Sequence, residues 1–316
     1  MKKALMVVAA VGLVVWVASW FRNDKAVAIS GAKAWPENLG TLADVARRYP
    51  PLQANDAAKK LIALAAALPK NHDVTASREL LLHDAVVWPR DGGVGHIGDK
   101  ETTSNRVVQM NIARALVARG QWEDLHAAWN LRRSLDAQPQ MMTQTAALSI
   151  DRMINAAAWK MPLPPPQWFN ELQQRDEVPR LLEAFQYQAA SYWNDGARVF
   201  PTKWLADSAE HDRLVAEALA KETRCAVAAP SNELGVDLAT VWRRAFRYRA
   251  EREATANALR IREGKPIETR SSCSDGAWTY DGTTLRFSRD IPVVAADRAM
   301  PLVLQVSRTR PSPAPK

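Results

Sequence analysis

Three groups of side chains have residue types and spacings that could do chemistry, and each points to a different reaction. Glu79, His83 and Asp84 fall about one helical turn apart on a single face. With His72 or His96 brought in from elsewhere, they would begin a zinc site. The H-E-x-x-H pattern of a zinc hydrolase is absent, and a solvated polar face beside an apolar stripe explains the same residues, so no metal site is expected. Asp207, Ser208 and His211 supply the residue types of a hydrolytic triad. Their place at an expected helix start suits capping instead, and G-x-S-x-G occurs nowhere. Glycan cleavage needs two carboxylates across a cleft. Glu171, Asp176, Glu183, Asp195 and Glu210 are available, and twelve tryptophans offer rings for stacking on sugars. Trp122, Trp129, Trp159 and Trp242, however, fall at the spacing of helical core positions.

Two further patterns concern binding and covalent structure. Arg243, Arg244, Arg247, Arg249 and Arg252 load one side of a long helical stretch. Such a face suits anionic lipid headgroups or the acidic surface of another protein. Glu251, Glu253 and Glu263 would offset it if it were merely solvated. Cys225 and Cys273 are the only cysteines, and C-x-x-C is absent, so thiol redox catalysis has no support. In an exported chain the two are expected to pair. The bridge would close a loop of about 49 residues and stabilise the fold by roughly 4 kcal/mol in the chain-entropy model. GGVGHIG, inside the loop from Pro89 to Asn105, lacks the Gly-Lys-Ser/Thr and preceding strand of a phosphate cradle. No cofactor is expected.

The elements that would carry these residues begin with Ala4 to Trp20, an apolar run flanked by Lys2-Lys3 and Arg22. About 18 residues at 1.5 Å each span roughly 27 Å, enough for a hydrocarbon core. The lysines favour a cytoplasmic start and export of the chain beyond Arg22. Residues 1–22 therefore read as a transmembrane anchor inserted by residues 4–21, with a cleaved signal peptide ending at Val17-Ala18-Ser19 as the alternative. That places a single-pass protein in a bacterial inner membrane, with its bulk in the periplasm or outside. A net charge of +8 allows nucleic acid as a partner, but that compartment argues against it.

Beyond the anchor the chain reads as mainly α, a helical-hairpin bundle with a small C-terminal β-hairpin. Residues 23–35 are polar and small, the composition of a linker. The helical domain runs over 36–263, punctuated by prolines. Expected helices cover 41–49, 57–68, 76–87, 167–174, 178–193 and 234–263, with another capped at Asp207 or Ser208 and running to about Cys225. Between Arg106 and Met161, Val108, Ile112, Ala115 and Leu116 form one stripe, and Trp122, Leu125 and Trp129 a second. Met142, Thr145, Ser149, Met153 and Ala157 form a third. The first two make one tetratricopeptide-type hairpin with no second copy. Residues 264–307 form the β cap, where Asp281-Gly282 joins two alternating segments in a hairpin and 291–306 adds a strand. Residues 308–316 are proline-rich and read as disordered.

RRSLDAQPQMMTQTAALSIDRMINAAAW (Arg132 to Trp159), the PPPQW after it and ALRIREGK…SSCSDGAWTYDGTTLRFSR (Ala258 to Arg289) carry a resemblance. They resemble a set of uncharacterised bacterial exported or membrane-anchored proteins, over most of the chain after about Ala34. The resemblance implies no activity. The long helix, Cys and Gly-x-W-x-Y hairpin at the end are also similar in texture to the C-terminal part of pseudopilins, whose leader is missing here. Function is thus expected to be that of a non-catalytic interaction or scaffold component of the envelope, partnered by an envelope protein or anionic lipid. An envelope hydrolase acting on cell-wall glycan or peptide is the alternative.

Overall fold

A computed structural model describes residues 24–71, 74–90, 100–196, 202–226, 238–293 and 296–307. The expected anchor at 1–22, His72, His96 and the tail at 308–316 lie outside the described residues, as do the side chains of Asp195 and Trp242. Among the described residues no helix is long and apolar enough to cross a membrane. The chain is mainly helical, as its alanine-rich, glycine-poor composition requires. The helices are α1 (Asp24–Gly31), α2 (Leu42–Arg48), α3 (Asp56–Asn71), α4 (Thr75–His83), α5 (Lys100–Arg119) and α6 (Trp122–Ser134). They continue with α7 (Met141–Ala158), α8 (Trp168–Gln174), α9 (Val178–Gly196), α10 (Thr202–Lys221) and α11 (Leu238–Arg262).

Local signals set many of these boundaries. Thr41 and Asp44 form a capping box at α2, and the Asn55 side chain accepts the Ala58 N–H at the start of α3. Gly120 takes φ +67° and turns α5 into α6. Three expectations are corrected. The 23–35 linker contains α1, which forms because its alanines favour helix and it can dock along α10. The helix expected over 76–87 stops at His83, because residues 87 to 90 pair with Leu52 and Asn55 instead. The helix expected to begin at Asp207 or Ser208 begins at Thr202, so Ser208 is buried within it and caps nothing.

Two apolar cores result. One joins α3 to α8 around Leu61, Trp88, Leu116, Trp129 and Phe169. The other joins α2, α9, α10, α11 and the C-terminal strands around Leu182, Phe185, Phe246 and Trp278. α7 lies between them, giving Ile150 and Ile154 to the first and Leu148 to the second. That is why it is buried nearly all round, not along one stripe, while Met142 of the expected stripe stays exposed.

The C-terminal strands are β1 (Trp278–Tyr280), β2 (Thr284–Phe287), β3 (Ile291–Val293), β4 (Ala296–Met300) and β5 (Val303–Gln305). β1 and β2 pair antiparallel across the Asp281-Gly282 turn in the register Trp278 to Phe287, β5 adds to β2, and β3 and β4 form a separate ribbon. The single strand expected over 291–306 is therefore three. Cys225 and Cys273 are joined, with Cα atoms 5.4 Å apart and both residues buried. Glu253 of α11 accepts from the Trp278 indole (2.8 Å), the Ser271 hydroxyl (2.6 Å) and the Ser272 N–H (2.8 Å), pinning the cap to the helix.

Candidate functional site

The densest chemistry lies where α7 separates the two cores. Arg132 follows Leu125, Ala128 and Trp129 on the buried stripe of α6, so the helix carries its guanidinium inward, to 0 % exposure. Burial alone would disfavour its charge, but three carboxylates outweigh that and push its pKa up. Its Nε donates to Asp151 of α7 at 2.7 Å and one amino group to Glu177, just before α9, at 2.6 Å. The other amino group donates to Asp136, which follows α6. Arg175 donates to Asp136 at 2.5 Å and lies 2.9 Å from Glu177.

Three carboxylates thus surround two guanidiniums. Burial, together with the neighbouring Glu177 charge, pushes the Asp151 carboxyl up against the opposing pull of Arg132. Among the described residues one Asp151 oxygen has no hydrogen-bond partner. Asn155 ties this layer to α11 through the Tyr248 hydroxyl at 2.9 Å and to α8 through Gln173 at 2.7 Å. The loop after α6 is held in the same way. Gln144 donates to the Leu135 and Gln138 carbonyls, and Gln138 donates to the Trp88 carbonyl. The groups are spent on one another, which suits a junction between cores better than a reaction centre.

The basic helix is also turned inward. Arg247 donates to Glu251 at 2.9 Å and to the Ile291 carbonyl at 3.3 Å. Arg249 lies 3.6 Å from Asp176 and over the Phe246 ring, and Arg252 donates to the Arg175 carbonyl and covers Tyr248. Arg243 and Arg244 are half-buried near the start of α11.

The open surface lies elsewhere. A hollow of about 450 Å³ between α4 and α6 is lined by Leu82, His83, Val86, Asn130, Arg133 and Asp136. A second, of about 330 Å³ beside the start of α3, also has Asp84 and Ala85 in its lining, so the two hollows adjoin and are together called the groove. Glu79 and His83 are 3.6 Å apart, but among the described residues no cluster suited to a metal gathers around them. Among the described residues Ser208 Oγ has no hydrogen-bond partner, so it and His211 do not form the contact a triad needs.

The candidate glycan-cleaving carboxylates are scattered. Glu171 is 3.8 Å from Arg133, Glu183 accepts from Tyr49 and Arg180, and Glu210 accepts from Arg213 and pairs with Lys33. Trp129 is core and Trp159 packs against both cores. Trp122 meets Trp168 edge-on at 6.0 Å, and His126 stacks on Trp168 at 5.0 Å, so these rings are largely used on each other.

Arg132, Asp151 and Glu177 are not among the residues expected from the sequence to carry a site. The signal was there: a lone Asp in the apolar run TAALSIDRMINAAA and an Arg in phase with Leu125 and Trp129. No family model matches this chain, and no curated protein or solved structure is similar to it.

Proposed function

We propose that the protein is a membrane-anchored, exported helical module that binds another envelope protein and carries out no reaction of its own. The observation that carries this reading is the pair of adjoining hollows beside α3, α4 and α6, with Asp84 and Ala85 lining both. Its mixed lining of apolar side chains, amide and charges suits a stretch of polypeptide. The buried Cys225–Cys273 bond supports an oxidising compartment, and the apolar run Ala4 to Trp20 supports attachment to the membrane.

A second reading, hydrolysis of cell-wall glycan or peptide, draws on Asp84 and Asp136 lining one hollow. Asp136 already accepts from Arg132 and Arg175, which leaves one carboxylate for a reaction that needs two. The test is capture from detergent-solubilised membranes with the wild type and with Ala85→Arg, which fills the groove from an exposed position. A partner retained by the wild type and lost with Ala85→Arg is the expected result. The same partners with both proteins, or release of reducing ends from purified cell wall, would overturn it.

A further inference from the structure

The way α1 docks shows which end of the domain an anchor would hold. The Ser30 hydroxyl donates to the Ala206 carbonyl at 3.2 Å, and Lys33 pairs with Glu210 at 2.9 Å. Ser30 in α1 and Lys33, two residues past its end, meet Ala206 and Glu210 in the same order, which fits α1 running parallel to α10. Gly31 meets the Trp193 ring so closely that a Cβ there would stand 2.7 Å from it. The last turn of α9 and the first turns of α10 therefore lie at the same level, beside α1.

Helix geometry turns this into a ruler. Asp24 starts α1 about 9 Å before Ser30, and Thr202 starts α10 about 6 Å before Ala206. With packed axes about 8–10 Å apart, Asp24 and Thr202 are about 10 Å from each other. Asp24 follows Phe21 by at most about 11 Å of extended chain. The first turn of α10 is thus within about 20 Å of the end of the apolar run. Lys221, at the other end of α10, is about 30 Å further along. The near end carries Ile29, 54 % exposed, and the half-buried Trp193 and Trp204. Tryptophans with an apolar body and a polar edge settle at the membrane–water boundary.

We propose that this near end, the exposed side of α1 with Trp193 and Trp204, rests on the lipid headgroup layer, and that the disulfide and β cap face away from the membrane. The proposal rests on the anchored reading above. It assigns lipid contact to the α1–α9–α10 end instead of the arginines of α11, three of which have acceptors or rings inside the fold.

The full chain is reconstituted in phosphatidylethanolamine–phosphatidylglycerol liposomes doped with a gadolinium-chelating headgroup lipid. Spin labels are placed singly at Asp207→Cys, Leu214→Cys and Lys221→Cys, three exposed positions two turns apart along α10. The expected relaxation enhancement falls steadily from 207 to 221, by at least about tenfold overall, because dipolar relaxation declines steeply with distance. Trp204→Ser is expected to lower the enhancement at 207 while the chain still floats with the liposomes. A chain that floats but shows equal or reversed enhancement, or is unaffected by Trp204→Ser, overturns the docking and leaves the anchor standing. A chain that does not float overturns the anchor, and the docking with it.

Discussion

Asp212 offers the cleanest electrostatic test of the fold. It lies on the buried stripe of α10 with Leu205, Ala209, Ala216 and Leu219. Burial pushes its carboxyl from 3.8 up to about 7, and no neighbouring charge is needed to explain the shift. Three pH units at about 1.4 kcal/mol each amount to about 4 kcal/mol. The sign depends on which state binds the proton. Below pH 3.8 the carboxyl is protonated whether folded or unfolded, and the term is zero. Between pH 4 and 7 the unfolded chain ionises while the folded one does not, so stability falls. Above 7 the full loss is present.

Asp212→Asn keeps the volume and removes the titration, at a cost of about 1–3 kcal/mol for an unpaired buried amide. The two proteins are unfolded in urea at pH 4 to 8, followed by tryptophan fluorescence. The variant is expected to be the less stable at pH 4. By pH 8 the difference between the two should have moved about 4 kcal/mol in its favour. Subtracting the two curves removes the contribution of Asp151, which is common to both. A difference constant to within about 1 kcal/mol across the range would refute the claim that the fold holds this carboxyl protonated.

Three other perturbations probe the junction, the clasp and the cap. Arg132→Met leaves Asp136, Asp151 and Glu177 facing one another and should cost about 3–5 kcal/mol, more at pH 8 than at pH 5 because the carboxyls can neutralise in acid. An equal loss at both values in urea unfolding would show that the three do not repel. Replacing Cys225 and Cys273 together by Ala should cost about 2–5 kcal/mol. Mass spectrometry after alkylation without reductant should find no modified cysteine in the wild type, and two free thiols would remove the clasp. Gly276→Ala would drive a Cβ into the Phe287 ring and should destabilise by about 1–3 kcal/mol, read as a lower urea midpoint, while an unchanged midpoint would mean the ring is free to move.

Where local chemistry dominates, the fold was legible in the residues. Pro50-Pro51, Gly120 and the Asp281-Gly282 turn mark boundaries because proline and glycine restrict or free the backbone whatever surrounds them. The stripes of α5 and α6 identify their buried faces because each helix packs on one side. The Cys225–Cys273 pairing needed only two cysteines and an inferred compartment. The groove was not legible. Its walls come from α3, α4 and α6, and nothing in a helix's own periodicity says where a neighbour stops covering it.

On its own, the sequence determined helical class, the cap hairpin, the cysteine pair and the apolar run that argues for an anchor. Each depends on residues close along the chain or on composition. Only the tertiary structure decided that α1 is docked along α10 and not a loose linker, that arginines of α11 point inward, and that Arg132 draws together carboxylates from α7 and from the segments after α6 and before α9. Those facts depend on which faces meet across tens to more than a hundred residues. A charge on a helix reads the same in sequence whether water or a buried carboxylate waits opposite, and packing alone tells them apart.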